Sequence, residues 1–171
     1  GDLIELTQDT TQAWADMTAA ISTSVATRRQ YLLVTAINGT TLTLNQPIRE
    51  TKVAAEGGRI RTIYPIRRCG IEDLAIQHTS PRLVTSIYFQ RAQECWVKGV
   101  SVTKSGRNPY MMSSGKFCEL RDFEAHQSWD NLGSSAYIVW TNSHDCLGDG
   151  ITSSGLRHAP NLQYSSTGCV V

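Results

Sequence analysis

From residue 69 onward, the apolar positions of the chain fall into a phrase that repeats. Each copy opens on a cysteine: Cys69-Gly-Ile-Glu-Asp-Leu, Cys95-Trp-Val-Lys-Gly-Val, Cys118-Glu-Leu-Arg-Asp-Phe, Cys146-Leu-Gly-Asp-Gly-Ile and Cys169-Val-Val. An apolar residue returns two positions after the cysteine, at Ile71, Val97 and Leu120, and again five after it, at Leu74, Val100, Phe123 and Ile151. Seven after it stand Ile76, Val102 and Ala125, with Ser153 as the polar exception. Between the two apolar pairs, four after the cysteine, are Asp73, Gly99, Asp122 and Gly150, types that tolerate bends and left-handed backbone. This spacing predicts two short strands joined by a tight corner, each turning alternate side chains inward. A helix would need a different period.

A third strand is predicted before each cysteine, at Ser86-Ile-Tyr-Phe-Gln, Pro109-Tyr-Met-Met-Ser, Ala136-Tyr-Ile-Val-Trp-Thr and Asn161-Leu-Gln-Tyr-Ser, with Arg59-Ile-Arg-Thr-Ile-Tyr as an earlier copy. The cysteines are 26, 23, 28 and 23 residues apart, within the range that marks a solenoid. A three-stranded rung cannot bury its apolar side alone. Successive rungs must therefore stack in parallel, with strands about 4.8 Å apart and each backbone group bonded to the coil above or below. The expectation is an all-β parallel β-helix of about four coils over residues 59–171.

Upstream, residues 1–58 predict a small β element packed on the solenoid. Asn38-Gly39 lies between apolar alternations that run on through Thr41-Leu42-Thr43-Leu44, a strong hairpin signal. Trp14, Met17 and Ile21 at helical spacing, with Asp9, Thr10 or Thr11 as cap, predict one short helix over Thr11–Ile21. Glu50 to Gly58 is polar, has no clear period and reads as a connecting loop.

Phrases such as Gly70-Ile-Glu-Asp-Leu-Ala-Ile and Cys95-Trp-Val-Lys-Gly-Val-Ser-Val resemble rungs of the pectate-lyase-like superfamily of right-handed parallel β-helices. The resemblance covers roughly residues 59–171, and the upstream element is similar to one found beside early coils in such proteins. It implies a secreted or cell-surface protein that acts on or binds extracellular polysaccharide. For a lyase-like member the substrate would be an acidic, uronic-acid polymer. Asp145-Cys-Leu-Gly-Asp149-Gly superficially resembles the Asp-rich strand of the superfamily's polygalacturonases, but Asp at a tight bend has a simpler role in bonding its own backbone.

The cysteines are expected to form a column of buried free thiols, acting as small hydrophobes. Parallel Cβ vectors at strand spacing disfavour disulfides, and five ligands in a line cannot make a tetrahedral metal site. The chain of 171 residues carries a formal charge of +1, which gives no global case for nucleic acid or a membrane surface. No apolar run approaches the roughly 20 residues of a membrane span. Cys169-Val170-Val171 opens another rung, so a longer parent chain, or end-to-end self-association through the open stack, is expected.

Loops on a rigid scaffold are where sites are usually built. The longest corner of each repeat spans Gln77 to Thr85, Thr103 to Asn108, His126 to Ser135 and Ser154 to Pro160. Stacked, these loops form one ridge carrying His78, Arg82, Lys104, Arg107, His126, Trp129, Asp130, Arg157 and His158. Imidazoles beside cations suit proton transfer on a charged polymer, with Arg or Lys neutralising a uronate and His moving the proton. The candidate catalytic residues are His126, Arg157 and His158, followed by Lys104 and Asp130; the Arg157-His158 pair is similar to one in some superfamily members. Carboxylates are too sparse here for Ca²⁺, and no metal or cofactor is expected. Aromatic faces stack on sugar rings, so Trp96, Trp129 and Tyr137, with Arg107, are candidate carbohydrate contacts. A lyase or hydrolase, a non-catalytic carbohydrate-binding module, and a structural segment of a fibre, spike or appendage all remain open.

Overall fold

The computed structural model describes residues 1–12, 27–52, 54–131 and 135–171. They divide into two compact units, Gly1–Tyr64 and Pro65–Val171.

The first unit is a four-stranded antiparallel sheet of β1 (Leu3–Asp9), β2 (Thr27–Asn38), β3 (Thr41–Leu44) and β4 (Arg59–Ile63), in the order β3-β2-β1-β4. The predicted hairpin is present: Asn38 pairs with Thr41, and Gly39 takes φ 58°, a conformation that suits glycine. Alternation sends Ile4, Leu6, Leu32 and Val34 to one buried cluster and Leu3, Tyr31 and Ile63 to another. Ala54–Glu56 forms a short 3₁₀ turn. Most of the predicted helix, from residue 13 onward and including Trp14, Met17 and Ile21, lies outside the described residues. The segment at Arg59–Ile63, expected as an early solenoid strand, instead pairs antiparallel with β1, from Leu3–Ile63 to Thr7–Arg59. Period-two alternation is the same for either pairing, so the apolar pattern alone does not separate them.

The second unit is a parallel β-solenoid of about four turns. Its strands are β5 (Ile66–Arg67), β6 (Gly70–Glu72), β7 (Ala75–Gln77), β8 (Ile87–Gln93), β9 (Trp96–Lys98), β10 (Ser101–Ser105), β11 (Tyr110–Lys116), β12 (Glu119–Ser128), β13 (Tyr137–Thr141), β14 (Leu147–Ser154) and β15 (His158–Gln163). One ladder runs β5-β8-β11-β13-β15. The others follow the cysteine phrase: β6-β9-β12-β14 through its first strand and β7-β10-β12-β14 through its second. Strands β12 and β14 run through the corner without a break. The core holds Val97, Val100, Val102, Leu120, Phe123 and Ala125 from the phrase and Ile87, Phe89, Tyr110, Met112, Ile138 and Trp140 from the third strand.

The cysteines keep register as expected. All five are free; Cys95, Cys118 and Cys146 are buried, Cys69 is exposed and Cys169 half-buried. Each thiol donates to the carbonyl two residues before it, at 3.2, 3.4, 3.5, 3.5 and 3.8 Å from Cys69 to Cys169. A serine hydroxyl would be costlier to bury in this column, and an alanine would give up the weak S–H donor. Burial raises the Cys95 pKa, offset only in part by backbone hydrogen bonds. The neighbouring Cys146 thiol lowers the Cys118 pKa, while the Cys118 and Cys169 thiols and burial hold Cys146 well above its ordinary value.

The corner four residues after each cysteine is left-handed throughout, with φ 50° at Asp73, 62° at Gly99, 48° at Asp122 and 65° at Gly150. Aspartate and glycine alternate for a steric reason. A Cβ on Gly99 would lie 2.6 Å from Oδ1 of Asp73, and one on Gly150 would lie 2.8 Å from Oδ1 of Asp122. A second left-handed corner sits one residue before each cysteine, at Arg68, Glu94, Phe117, Asp145 and Gly168. There the N–H groups of Arg68, Glu94, Phe117 and Asp145 donate to the next coil's carbonyls at Gln93, Lys116, His144 and Thr167, between 3.0 and 3.3 Å. These inter-coil bonds hold non-glycine residues in a conformation that costs roughly 1–2 kcal/mol each.

Candidate functional site: a ridge of stacked loops

The second strand of the phrase sets the ridge. Gln77, Thr103, His126 and Ser154 are in register across β7, β10, β12 and β14, and the next position is left-handed at Lys104, Gln127 and Gly155. Each loop therefore leaves the sheet at the same place. Gly106 shows how closely the first two loops approach: a Cβ there would lie 1.8 Å from the Arg82 carbonyl oxygen.

The ridge brings its functional side chains together in three groups. In the first, Lys104 Nζ stands 5.1 Å from the centre of the Trp129 ring. Trp129 is 42% exposed. Its Nε1 donates to the His78 carbonyl at 3.2 Å and its backbone N–H to Ser105 at 2.9 Å, so the indole is tethered to two neighbouring coils. His78 Nε2 meets Ser86 Oγ at 2.9 Å. Asp130 accepts from Ser135 Oγ at 2.7 Å and its carbonyl accepts from Ser128 at 2.9 Å. The exposed Arg107 sits beside this loop, its carbonyl accepting from Ala136 N at 2.7 Å.

The second group is His126, whose Nδ1 meets Ser154 Oγ at 2.8 Å and whose Nε2 lies 3.8 Å from Glu124 Oε2. Glu124 and His126 are two apart on one strand and share its outer face, while Ser154 is the cross-strand neighbour. The third group is exposed Arg157 and His158, whose N–H groups both donate to the Ala136 carbonyl, at 3.1 and 3.3 Å. The His158 ring packs edge-on to Tyr137 at 5.0 Å. Tyr137 was expected to present a face to sugar; it is only 9% exposed, covered by His158 on the face opposite the core residues Ile138 and Trp140.

Trp96 points outward as alternation requires, on a different face from the ridge groups. Its indole lies over Gly70, where a Cβ would be 2.1 Å from Cε2, and Nε1 donates to Glu72 at 2.5 Å. Beside it, Glu94, Cys95, Trp96, Phe117 and Glu119 line a shallow cleft of about 280 Å³. The neighbours on either side of each cysteine make this cleft. Cys95 points in, so residues 94 and 96 point out, and the same holds at 117 and 119; sequence reasoning applied that rule to Trp96 and missed Glu94, Phe117 and Glu119. Arg68, bonded at 2.7 Å, and Gln93 hold the Glu94 carboxyl below the ordinary carboxylate range.

Trp140 and Tyr110, from the third strand, are core residues, 1% and 0% exposed with ring centres 5.4 Å apart. A polar column two residues before the cysteines is also buried: Gln93, Lys116 and His144. Lys116 pairs with Asp145, and His144 Nδ1 meets Thr167 Oγ1 at 2.9 Å. Among the described residues no group of three or more His, Cys, Asp or Glu is placed to hold a metal ion, and no helix is long and apolar enough to cross a membrane.

In comparison with known proteins, the chain matches no family model, no curated protein and no solved structure.

Proposed function

We propose that the solenoid is a pectate-lyase-like β-helix, secreted or at the cell surface, whose ridge binds an acidic polysaccharide. The observation that carries this reading is the Lys104–Trp129 pair. A half-exposed indole, tethered on its N–H edge, offers a flat apolar face for the C–H side of a sugar ring. A lysine ammonium over that ring adds positive charge where a uronate carboxylate would lie. Arg107 and Arg157 extend the positive character along neighbouring coils. A pocket built for neutral sugar alone has no need of these cations.

The associated chemistry is β-elimination. A base takes the proton α to the uronate carboxylate, a carbon–carbon double bond forms, the bond to the glycosidic oxygen breaks, and that oxygen takes up a proton. His126 is the base of this reading, oriented by Ser154. Arg157 is the cation that neutralises the carboxylate, and His158 is a second proton carrier.

A non-catalytic binding module is the second reading, favoured by the separation of the candidates. Lys104 is engaged with Trp129, His126 with Ser154 and Glu124, and His158 with Tyr137. One panel of uronic-acid and neutral polysaccharides, scored for gel retardation and for ultraviolet-absorbing unsaturated ends, tests both. Retardation with product on acidic polymers fits the lyase reading, and retardation alone fits the module. No retardation by any acidic polymer contradicts the proposal.

A further inference from the structure

The first unit carries a second charged cleft, unrelated to the ridge. Residues Glu5, Thr7, Arg29, Arg59, Ile60 and Arg61 line an open depression of about 320 Å³, near the lower end of the roughly 300–1,000 Å³ usual for small-molecule sites. Strand pairing builds it. Thr7 stands opposite Arg29 on β2 and Arg59 on β4, while Glu5 stands opposite Tyr31 and Arg61. Residues two apart on β1 share a face, so register alone brings Arg29, Arg59 and Arg61 to the face that carries Glu5 and Thr7.

That carboxylate is completely buried. Glu5 Oε1 accepts from Tyr31 Oη at 2.8 Å and Arg29 Nη1 at 3.2 Å, and Oε2 accepts from Arg61 Nε. A buried carboxylate held on both oxygens fixes the donors around it, as a preformed site requires. Beyond it, Asp9 Oδ2 takes Arg59 Nη2 at 3.2 Å. Gly57, at φ 74°, makes room for that contact; a Cβ there would lie 2.4 Å from Asp9 Oδ2. Each guanidinium carries five N–H donors. Glu5 engages Arg61 through Nε, and Asp9 engages Arg59 through Nη2, so both keep donors that face the cleft's solvent.

We propose that this cleft is an oxyanion-binding site, taking a carboxylate, sulfate or phosphate group on a small polar molecule. Planar guanidinium forks match the geometry of all three groups. Arg59, 69% exposed at its side chain, is the mobile partner that closes on the anion, and Asp9 competes with the ligand for it. Glu5 is a positioning residue that holds Arg29 and Arg61.

The test is calorimetric titration of the full chain with glucuronate, sulfate and phosphate at fixed low ionic strength, repeated by NMR on the arginine Nε–H signals. Saturable binding is expected for at least one of the three, and the pattern among them identifies the group. Arg59→Ala weakens that binding about tenfold or more, the loss of one charge-assisted contact. Asp9→Asn tightens it, because Arg59 is released from its internal partner. Both changes are at exposed side chains, and circular dichroism checks that the fold is kept. Trp129→Ala leaves this binding unchanged, which separates the site from the ridge. Absence of saturable binding by all three anions overturns the proposal, and so does an affinity that Arg59→Ala and Asp9→Asn leave at the wild-type value.

Discussion

Replacing Gly99 by alanine tests the geometry that makes this chain a solenoid. Gly99 occupies the corner at φ 62°, and a Cβ there would lie 2.6 Å from the Asp73 carboxylate of the preceding coil. Two penalties follow. The left-handed backbone costs alanine roughly 1–2 kcal/mol relative to an unstrained position. The second penalty is steric: the Asp73 carboxylate must move, at an added cost on the order of 0.5–1 kcal/mol, the lower part of the range for coupled neighbours. The expected loss is therefore about 2 kcal/mol. The two parts separate in a double-mutant cycle, because Asp73→Ala removes the carboxylate and leaves the backbone cost in place. In that background Gly99→Ala should cost only about 1–2 kcal/mol. Urea unfolding followed by tryptophan fluorescence reports on the solenoid, which holds Trp96, Trp129 and Trp140. A lowered midpoint with an unchanged slope is the signature of lost stability. The reasoning is refuted if Gly99→Ala stays within about 0.5 kcal/mol of wild type, the scatter of ordinary surface changes, or if its cost is the same with and without Asp73.

The thiol column predicts an order of alkylation: in the native protein at neutral pH the exposed Cys69 reacts first, and Cys95, Cys118 and Cys146 react only on unfolding, as peptide mapping after timed labelling would show. Early labelling of Cys146 would contradict the ladder, since its neighbours hold it protonated. The Arg68–Glu94 pair predicts a small acid-side effect. Glu94 has a lowered folded pKa, so its contribution is present above the ordinary carboxylate value and is lost as pH falls through the lowered one. Both side chains are well exposed, 79% and 36%, so the difference between wild type and Arg68→Ala in acid titrations should shrink further with added salt; a difference that grows in salt would count against it.

The cysteine phrase made the solenoid legible because its apolar positions and its Asp or Gly corner have different chemistry. The second corner, one residue before each cysteine, was not legible. Arg68, Glu94, Phe117 and Asp145 carry no common turn signature, and inter-coil hydrogen bonds rather than side-chain type hold them left-handed. Alternation identified Arg59–Ile63 as a strand yet said nothing of its partner, which proved to be β1. At the ridge, the residues of the three groups could be named from the loops, whereas their pairing could not. Lys104 reaches Trp129, and His126 reaches Ser154, across coils whose loop lengths differ. Tyr137 is covered by the His158 ring of the next coil, a contact that alternation does not reveal.

The most direct test of the ridge reading is affinity electrophoresis of wild type, Trp129→Ala and Lys104→Ala through gels containing an acidic or a neutral polysaccharide. Removing one stacked aromatic costs roughly 1–3 kcal/mol in comparable stacking sites, or about fivefold to 150-fold in affinity. The account predicts retardation of the wild type in the acidic gel, near-complete loss for Trp129→Ala, and a partial, salt-sensitive loss for Lys104→Ala. Equal retardation of all three proteins, or retardation confined to the neutral gel, would contradict it.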